Sequence, residues 1–555
     1  MLIESLKMLP FRPFLILLLT ATLTTAADQP GQPAAKPKPF TISEKTTRLV
    51  EPVHSDGYID YVAVLNSEGL ERVPPVKNFA IPLLCVDRES DLSAFLWSED
   101  TWGQIFKLIA SHEAALPENV PTYHMPLHGE GIKVPYPVAL GLFNEVGRAE
   151  CLPWTEEQFP FAAKYVRENL GVLEFLQTEL NRSDYFNPLV SPFIAESHRQ
   201  ESFHRTFREL LSTTAYLELG KGNFNASRKW IVALFQLAER LKNGLAQDEL
   251  REATFAESLA GQISRDYILD PRAKSEDIKL LLAEIGQFGT PIDLSGFVDS
   301  VYRFRILQIL QLRALGIMNK EYAELMGDKL PEFSIEKKVN LERVDWDVAL
   351  EQANVLLDET VDAWSQPVGP KLRAALQELD DRRHGPKVLE EYKKRLAFAA
   401  SERLLPHGEI DPRNGRLIGD LVVVADLHKL HQRWDCGLFS RQFLDLVLVT
   451  GAIRLYEIEH GRLPRDLQQL ATHFPSIPRT SICGSPLVYN LRKESFSLYA
   501  VGLNGKDEDG EGQFRHAPWE NGPDDVSVWV DTKTAPEKTI FRKGELPFER
   551  KESSR

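Results

Sequence analysis

The chain has 555 residues, 43% hydrophobic and 26% charged, with 80 acidic residues against 65 basic ones and a formal charge of −15. Such a length carries several buried cores and more than one domain. The composition excludes bulk disorder, collagen and a polytopic membrane protein, and the acidic balance argues against nucleic acid, whose phosphates are met by basic surfaces.

Residues 1–27 read as an export signal. Lys7 and Arg12 form a weak basic start, with Glu4 against them. Phe14, Ile16, Leu17, Leu18, Leu19 and Leu23 make an apolar run, and Thr25-Ala26-Ala27 offers small residues for cleavage. The run is about 14 residues long, short of the roughly 20 that a spanning helix needs. An uncleaved anchor is the alternative. After cleavage no stable membrane span is expected, and the mature protein is placed in the periplasm or outside the cell. An oxidising compartment permits disulfides among Cys85, Cys151, Cys436 and Cys483, in any of three pairings; four buried thiols are the other reading.

Residues 28–57 are expected to be a linker, opening on a stretch (DQPGQPAAKPKPF) with four prolines. Residues 58–190 form a mixed, mostly helical region. Tyr61, Val62, Val64 and Leu65 precede an expected turn at Ser67-Glu68-Gly69, and prolines recur from Pro74-Pro75 to Pro135. From Glu156 the period is helical, through Phe159, Ala162, Ala163, Val166, Leu170, Leu173 and Phe175.

Residues 191–435 are expected to be an α-helical body. Phe203, Phe207, Leu210, Leu211, Tyr216, Leu217 and Leu219 mark one helix, and Phe224, Ala226, Trp230, Ala233, Leu234, Leu237 and Leu241 the next. Gly220-Lys221-Gly222-Asn223 between them predicts an αα-hairpin. The stretch from Tyr216 to Ala226 resembles the turn of a tetratricopeptide repeat. No second copy stands at the period of about 34 residues, so a plain helical bundle is the competing reading. Further helices are expected at 297–315, 346–363, 387–403 and 417–433.

Residues 436–545 read as a separate α+β module, with a charged tail at 546–555. A very apolar helix from Phe443 to Ile458 ends at His460-Gly461, with Pro464 beyond. Leu467 and Leu470 give one more turn. The period then becomes two, at Leu487, Tyr489 and Leu491 and at Phe496, Leu498 and Ala500, which predicts a β-hairpin. A long acidic loop leads to a last strand, Val526-Ser527-Val528-Trp529-Val530.

Several of these residues form ordered motifs. They are Tyr456-x₃-His460-Gly461-x-Leu463-Pro464-x₂-Leu467-x₂-Leu470, Gly484-Ser485-Pro486-Leu487-x-Tyr489, Tyr499-x-Val501-Gly502-x-Asn504-Gly505 and Asp524-Asp525-Val526-x₂-Trp529. Together they resemble the head domain of the type II secretion major pseudopilin. The rest of the chain has no counterpart there, and as a whole it resembles exported bacterial proteins with a helical body and such a tail. The N-terminus lacks the arrangement of a pilin, so the resemblance implies a fold for the tail and no filament role.

The resemblance also implies calcium. Carried over by position, backbone carbonyls of Val501 and Val530 and side chains of Asn504, Asp525 and Ser527 would bind Ca²⁺, with Asp507 or Asp509 in support. The family usually has aspartate where this chain has Asn504, which removes one charge. Between Gly502 and Asp525 seven acids face only Lys506 and Arg515. Calcium is a hard cation that takes six to eight oxygens, and crowded carboxylates repel without one. A solvated acidic turn is the competing reading.

Other constellations fall short. His112-Glu113 has Leu116 where a zincin needs its second histidine. His428, His431 and Asp435 share a helix face and lack a fourth ligand. His198 and His204 with Glu196 are weaker, and His124 and His128 lie in a Pro-rich loop. The chain is therefore expected to be mainly α, with helical hairpins or a bundle and a small α+β tail. Its expected role is binding or structure in the cell envelope, with a protein partner. A hydrolase whose site is assembled from distant residues is the alternative.

Overall fold

The computed structural model describes residues 38–88, 105, 117, 119–124, 144–189, 194, 201–317, 339–367, 370–384, helical positions within 390–397, 410–471, 480, 484–492, 495–502, 507, 509–510 and 526–531. For some of these, 425–436 included, only the backbone is described. The described chain is mainly helical, with one small antiparallel sheet near the C-terminus. The expected signal at 1–27 and tail at 546–555 lie outside these residues.

Helix α1 (Tyr61–Arg72) runs straight through the turn expected at Ser67-Glu68-Gly69. Gly69 is glycine for space: a Cβ there would come within 2.0 Å of the Phe186 ring. Helix α2 (Ala80–Arg88) follows, then α3 (Pro160–Glu168) and α4 (Leu170–Glu179). Buried Asn169 separates the last two. Its amide accepts from the His124 backbone N–H at 2.8 Å and donates to the carbonyls of His124 and Tyr165.

The αα-hairpin is present as α5 (Glu201–Gly220) and α6 (Phe224–Leu241). Gly222 takes the turn at φ +75°, and the Asn223 side chain caps α6 by accepting from Ala226 N. Helix α7 (Gln247–Leu269) packs on both, and α8 (Ser275–Ile285) follows. A short α9 (Leu294–Phe297) passes through a π-turn (Val298–Tyr302) into α10 (Arg303–Ala314), which is buried all round. Then come α11 (Trp346–Trp364) and α12 (Pro370–His384).

The expected linker at 28–57 is corrected over its second part. Residues 39–60 are a strap across α10 and α11. Phe40, Thr46, Thr47, Tyr58 and Ile59 are buried. Thr41 donates twice to the Asp347 carboxylate, Asn354 donates to the carbonyls of Lys45 and Thr46, and the Gln311 amide oxygen accepts from Ile59 N. Proline and lysine content signals solvation, but here Thr46 and Thr47 hydrogen-bond locally and Thr41 bonds Asp347 on a helix distant in sequence.

The expected boundary at 435/436 is also corrected. One helix, α13 (Pro412–His460), runs unbroken across it. It starts on Asp411, whose side chain accepts from Arg413 N, and ends at Gly461 in the left-handed region at φ +67°. Its first part lies against α11, where Gly415 and Gly419 admit the Asp345 and Ala349 carbonyls; a Cβ on either would sit 2.3 or 2.5 Å away. Its last part packs on α7, α8 and the sheet. Phe443, Leu446, Val447 and Ile453 share one apolar core with Phe207, Leu234, Ile263, Leu281, Leu498 and Val528. Leu417, Ile418 and Val423 belong to the second core, with Tyr61, Leu307 and Leu350.

A short turn of helix, α14 (Gln468–Ala471), leads to β1 (Val488–Leu491), β2 (Ser495–Ala500) and β3 (Val526–Asp531). The order is β1-β2-β3, antiparallel throughout. Among the described residues no helix is long and apolar enough to cross a membrane.

Candidate cation loop and a buried acid cluster

The residues that carry the tail's motifs meet around the end of α13. The His460 ring stacks on Tyr456 with centroids 4.0 Å apart. Tyr456 donates to the Gln469 amide oxygen at 3.3 Å, and Tyr489 donates to the Pro464 carbonyl at 2.8 Å. Spacing explains these contacts: His460 is one helical turn beyond Tyr456, and Pro464 lies where the chain turns back toward β1.

Of the expected calcium ligands, Asn504 and Asp525 lie outside the described residues. Val501 follows β2 directly and is buried. Ser527 pairs with Tyr499 across β2 and β3, so the two side chains share a face. Tyr499 donates to Asp507 Oδ1 at 3.0 Å, and the same oxygen accepts the Asp509 backbone N–H at 3.0 Å. Asp509 and Gly510 both have positive φ, and Gly510 sits on the Tyr499 ring, where a Cβ would approach within 3.0 Å. The acidic turn thus folds back onto the end of the sheet where Val501 and Ser527 stand. Burial first, then the Asp507 carboxylate, push the Tyr499 phenol up to about 12.

Val530 does not belong to this group. In the observed register it pairs with Phe496, while Val526 pairs with Ala500. At about 3.4 Å per strand residue, Val530 lies roughly 17 Å along the sheet from Val501. Calcium–oxygen distances of about 2.4 Å forbid one ion from touching both carbonyls. Strand register decides which carbonyls converge. The residues near Tyr499 supply hard oxygens of the kind calcium takes: a carboxylate at Asp507 with its second oxygen, a second carboxylate at Asp509, the Ser527 hydroxyl and the Val501 carbonyl. Among the described residues no group of three or more His, Cys, Asp or Glu is arranged to hold a metal.

A second charged group lies inside the helical body, on the facing sides of α5 and α7. The Arg208 guanidinium, buried, donates from Nε to Glu252 Oε2 at 2.9 Å. Its other nitrogens lie 3.9 Å from Glu150 and 3.7 Å from Glu209. One turn earlier, His204 Nε2 and Tyr185 OH are 2.8 Å apart, and Tyr185 donates to Glu249 Oε1 at 2.7 Å. A His–Tyr–Glu relay is chemically capable of moving a proton, yet here Glu249 also accepts from Asn187 Nδ2 and, at 2.9 Å, from Ala246 N, closing the first turn of α7. Burial raises the Glu249 carboxyl above its ordinary range. His204, Tyr185 and Glu249 are each under 5% exposed, so the relay joins helices.

His124 is held by its backbone through Asn169. His112, Glu113, His128, Glu196 and His198 lie outside the described residues, as do the side chains of His428, His431 and Asp435. Cys151 is a half-buried thiol whose Sγ donates to the Gly147 carbonyl; burial and Glu150 push it up to about 11. Cys85 is a buried thiol, and the side chains of Cys436 and Cys483 lie outside the described residues. A surface groove beside the strap, lined by Pro52, Ala63, Val64, Ser67 and Glu68, brings one carboxylate and no histidine. The buried cluster had a weak sequence signal. Arg205, Arg208 and Glu209 with Asp248, Glu249 and Glu252 follow helical spacing, but such charges usually read as a solvated face.

No protein-family model, no curated protein and no solved structure matches the chain.

Proposed function

We propose that this is an exported cell-envelope protein of binding or structural type, whose C-terminal sheet resembles a pseudopilin head and is stabilised by calcium. The observation that carries the reading is the Asp507–Gly510 turn held against Tyr499, beside Ser527 and Val501. A loop with a net excess of five negative charges between paired strands is costly unless solvent or a cation balances it. The ligand set in this reading is Val501, Asn504, Asp507, Asp509, Asp525 and Ser527. A binding role is supported by the way the body spends its charged side chains: His204, Glu249, Arg208 and Glu252 hold helices together. The partner in this reading is a protein of the cell envelope.

Calcium titration of the purified full-length protein tests the reading. Calcium raises the melting temperature, and magnesium does so weakly because it demands a tighter octahedron. Equal responses to calcium, magnesium and sodium at matched ionic strength withdraw the site. Export is tested separately by N-terminal sequencing, with cleavage near Ala27 expected and an intact Met1 in a membrane fraction against it.

A further inference from the structure

We propose that Glu150 is a pH-operated latch: protonated, it seals residues 144–154 against α5 and α7, and ionised, it loosens them. Three carboxylates, Glu150, Glu209 and Glu252, surround the buried guanidinium of Arg208. The hydrogen bond of Arg208 goes to Glu252, and Glu150 stands 3.9 Å off. The neighbouring cations make their shortest contacts to other acids. Arg205 bonds Glu209 at 2.6 Å, and Arg251 lies against Asp248 and Glu252. From α3, buried Tyr165 faces the cluster without charge, its phenol pushed well above the ordinary range. On its own segment Glu150 has Cys151, held as a neutral thiol, exposed Arg148, and Glu145, which accepts the backbone N–H groups of Phe161 and Ala162.

Among these described groups, Glu150 meets Arg208 only at 3.9 Å, in competition with Glu252 and Glu209, and its side chain is only 14% exposed. A carboxylate removed from water and only weakly paired takes up a proton more readily. Burial first, and then Glu209, outweigh Arg208 and Arg205 and push Glu150 from the ordinary 4.5 to about 8. The closed segment therefore keeps a proton that an opened one gives up between pH 4.5 and 8. Closure weakens as pH rises through that window and is level above it.

The segment has leverage. Glu145 caps the start of α3. Trp154 is fully buried, and its backbone lies where a Cβ on Gly220 would be, 1.9 Å from the Trp154 carbonyl. Loosening residues 144–154 thus uncaps α3 and frees the packing at the hairpin turn of α5.

Hydrogen exchange on the full-length protein tests this. Protection factors for residues 144–162, corrected for intrinsic exchange, are measured from pH 5 to 9 in the wild type, Glu150→Gln and Glu209→Gln. Wild-type protection falls by about tenfold or more and levels near pH 8. Glu150→Gln stays flat, while Glu209→Gln moves the midpoint to lower pH because a like charge is gone. Buried acids elsewhere are common to all three proteins and cancel. A wild-type slope equal to that of Glu150→Gln overturns the proposal. Should Glu150→Gln not fold, an unchanged midpoint in Glu209→Gln overturns it alone.

Discussion

The Arg208 cluster and the loop after Val501 both crowd carboxylates, and they manage the charge differently. In the body the acids come from Glu150, α5 and α7 and are largely withdrawn from water. Glu252 is met by Arg208 and Glu209 by Arg205, while burial raises the Glu150 carboxyl above its ordinary range. In the tail the described acids Asp507 and Asp509 are exposed, and only Asp507 Oδ1 is engaged, by Tyr499 and the Asp509 N–H. The contrast teaches that burial forces internal neutralisation during folding, while an exposed acidic turn keeps its charge for whatever arrives from solvent.

The largest way to break the contrast is to remove the internal cation. Arg208→Met should cost about 3–5 kcal/mol of stability at pH 8, because Glu252 is left buried and uncompensated and Glu150 loses the cation that favours its charged form. Denaturant unfolding measures it, and Arg208→Met with Glu150→Gln should recover part of the loss. A cost below about 1 kcal/mol would make the buried cluster no more demanding than a surface ion pair.

Next in size is calcium. At a hundredfold excess over Kd it should stabilise the protein by about 2.7 kcal/mol. Asp525→Ala should abolish that response and leave the effect of Arg208→Met unchanged. If calcium instead restored Arg208→Met, the two regions would not be independent.

A smaller effect sharpens the tail's side of the comparison. Tyr499→Phe removes the donor that holds Asp507 and should cost about 1 kcal/mol. It should also weaken the calcium response, because Asp507 is no longer positioned. Unchanged calcium affinity in Tyr499→Phe would remove Asp507 from the ligand set. Smallest of all, Asn504→Asp should strengthen the response by restoring one charge, read as a lower calcium midpoint in the same titration.

Local pattern carried the helices and strands. The hairpin at 220–223, the stop at Gly461 and the hairpin pairing Tyr489 with Leu498 were legible because each depends on period and turn chemistry within a few residues. The pairing of Tyr499 with Asp507 was not, since it needs the loop to fold back on the sheet. Nor was the Arg208 cluster, whose acids come from Glu150, α5 and α7. On a helix, charges at threes and fours look alike whether the face meets water or another helix.

Composition and periodicity by themselves determined a mainly helical chain with a small antiparallel sheet at its end, because side-chain spacing encodes which face of an element is apolar. Tertiary structure decided the rest. It turned residues 39–60 from linker into strap, since Asp347, Asn354 and Gln311 lie far along the chain from the backbone they hold. It carried α13 through the expected boundary, because one helix can bury its first part against α11 and its last against α7 and the sheet. It also set the register that parts Val530 from Val501. Each of these depends on partners far along the chain or on strand register, and local spacing holds no record of either.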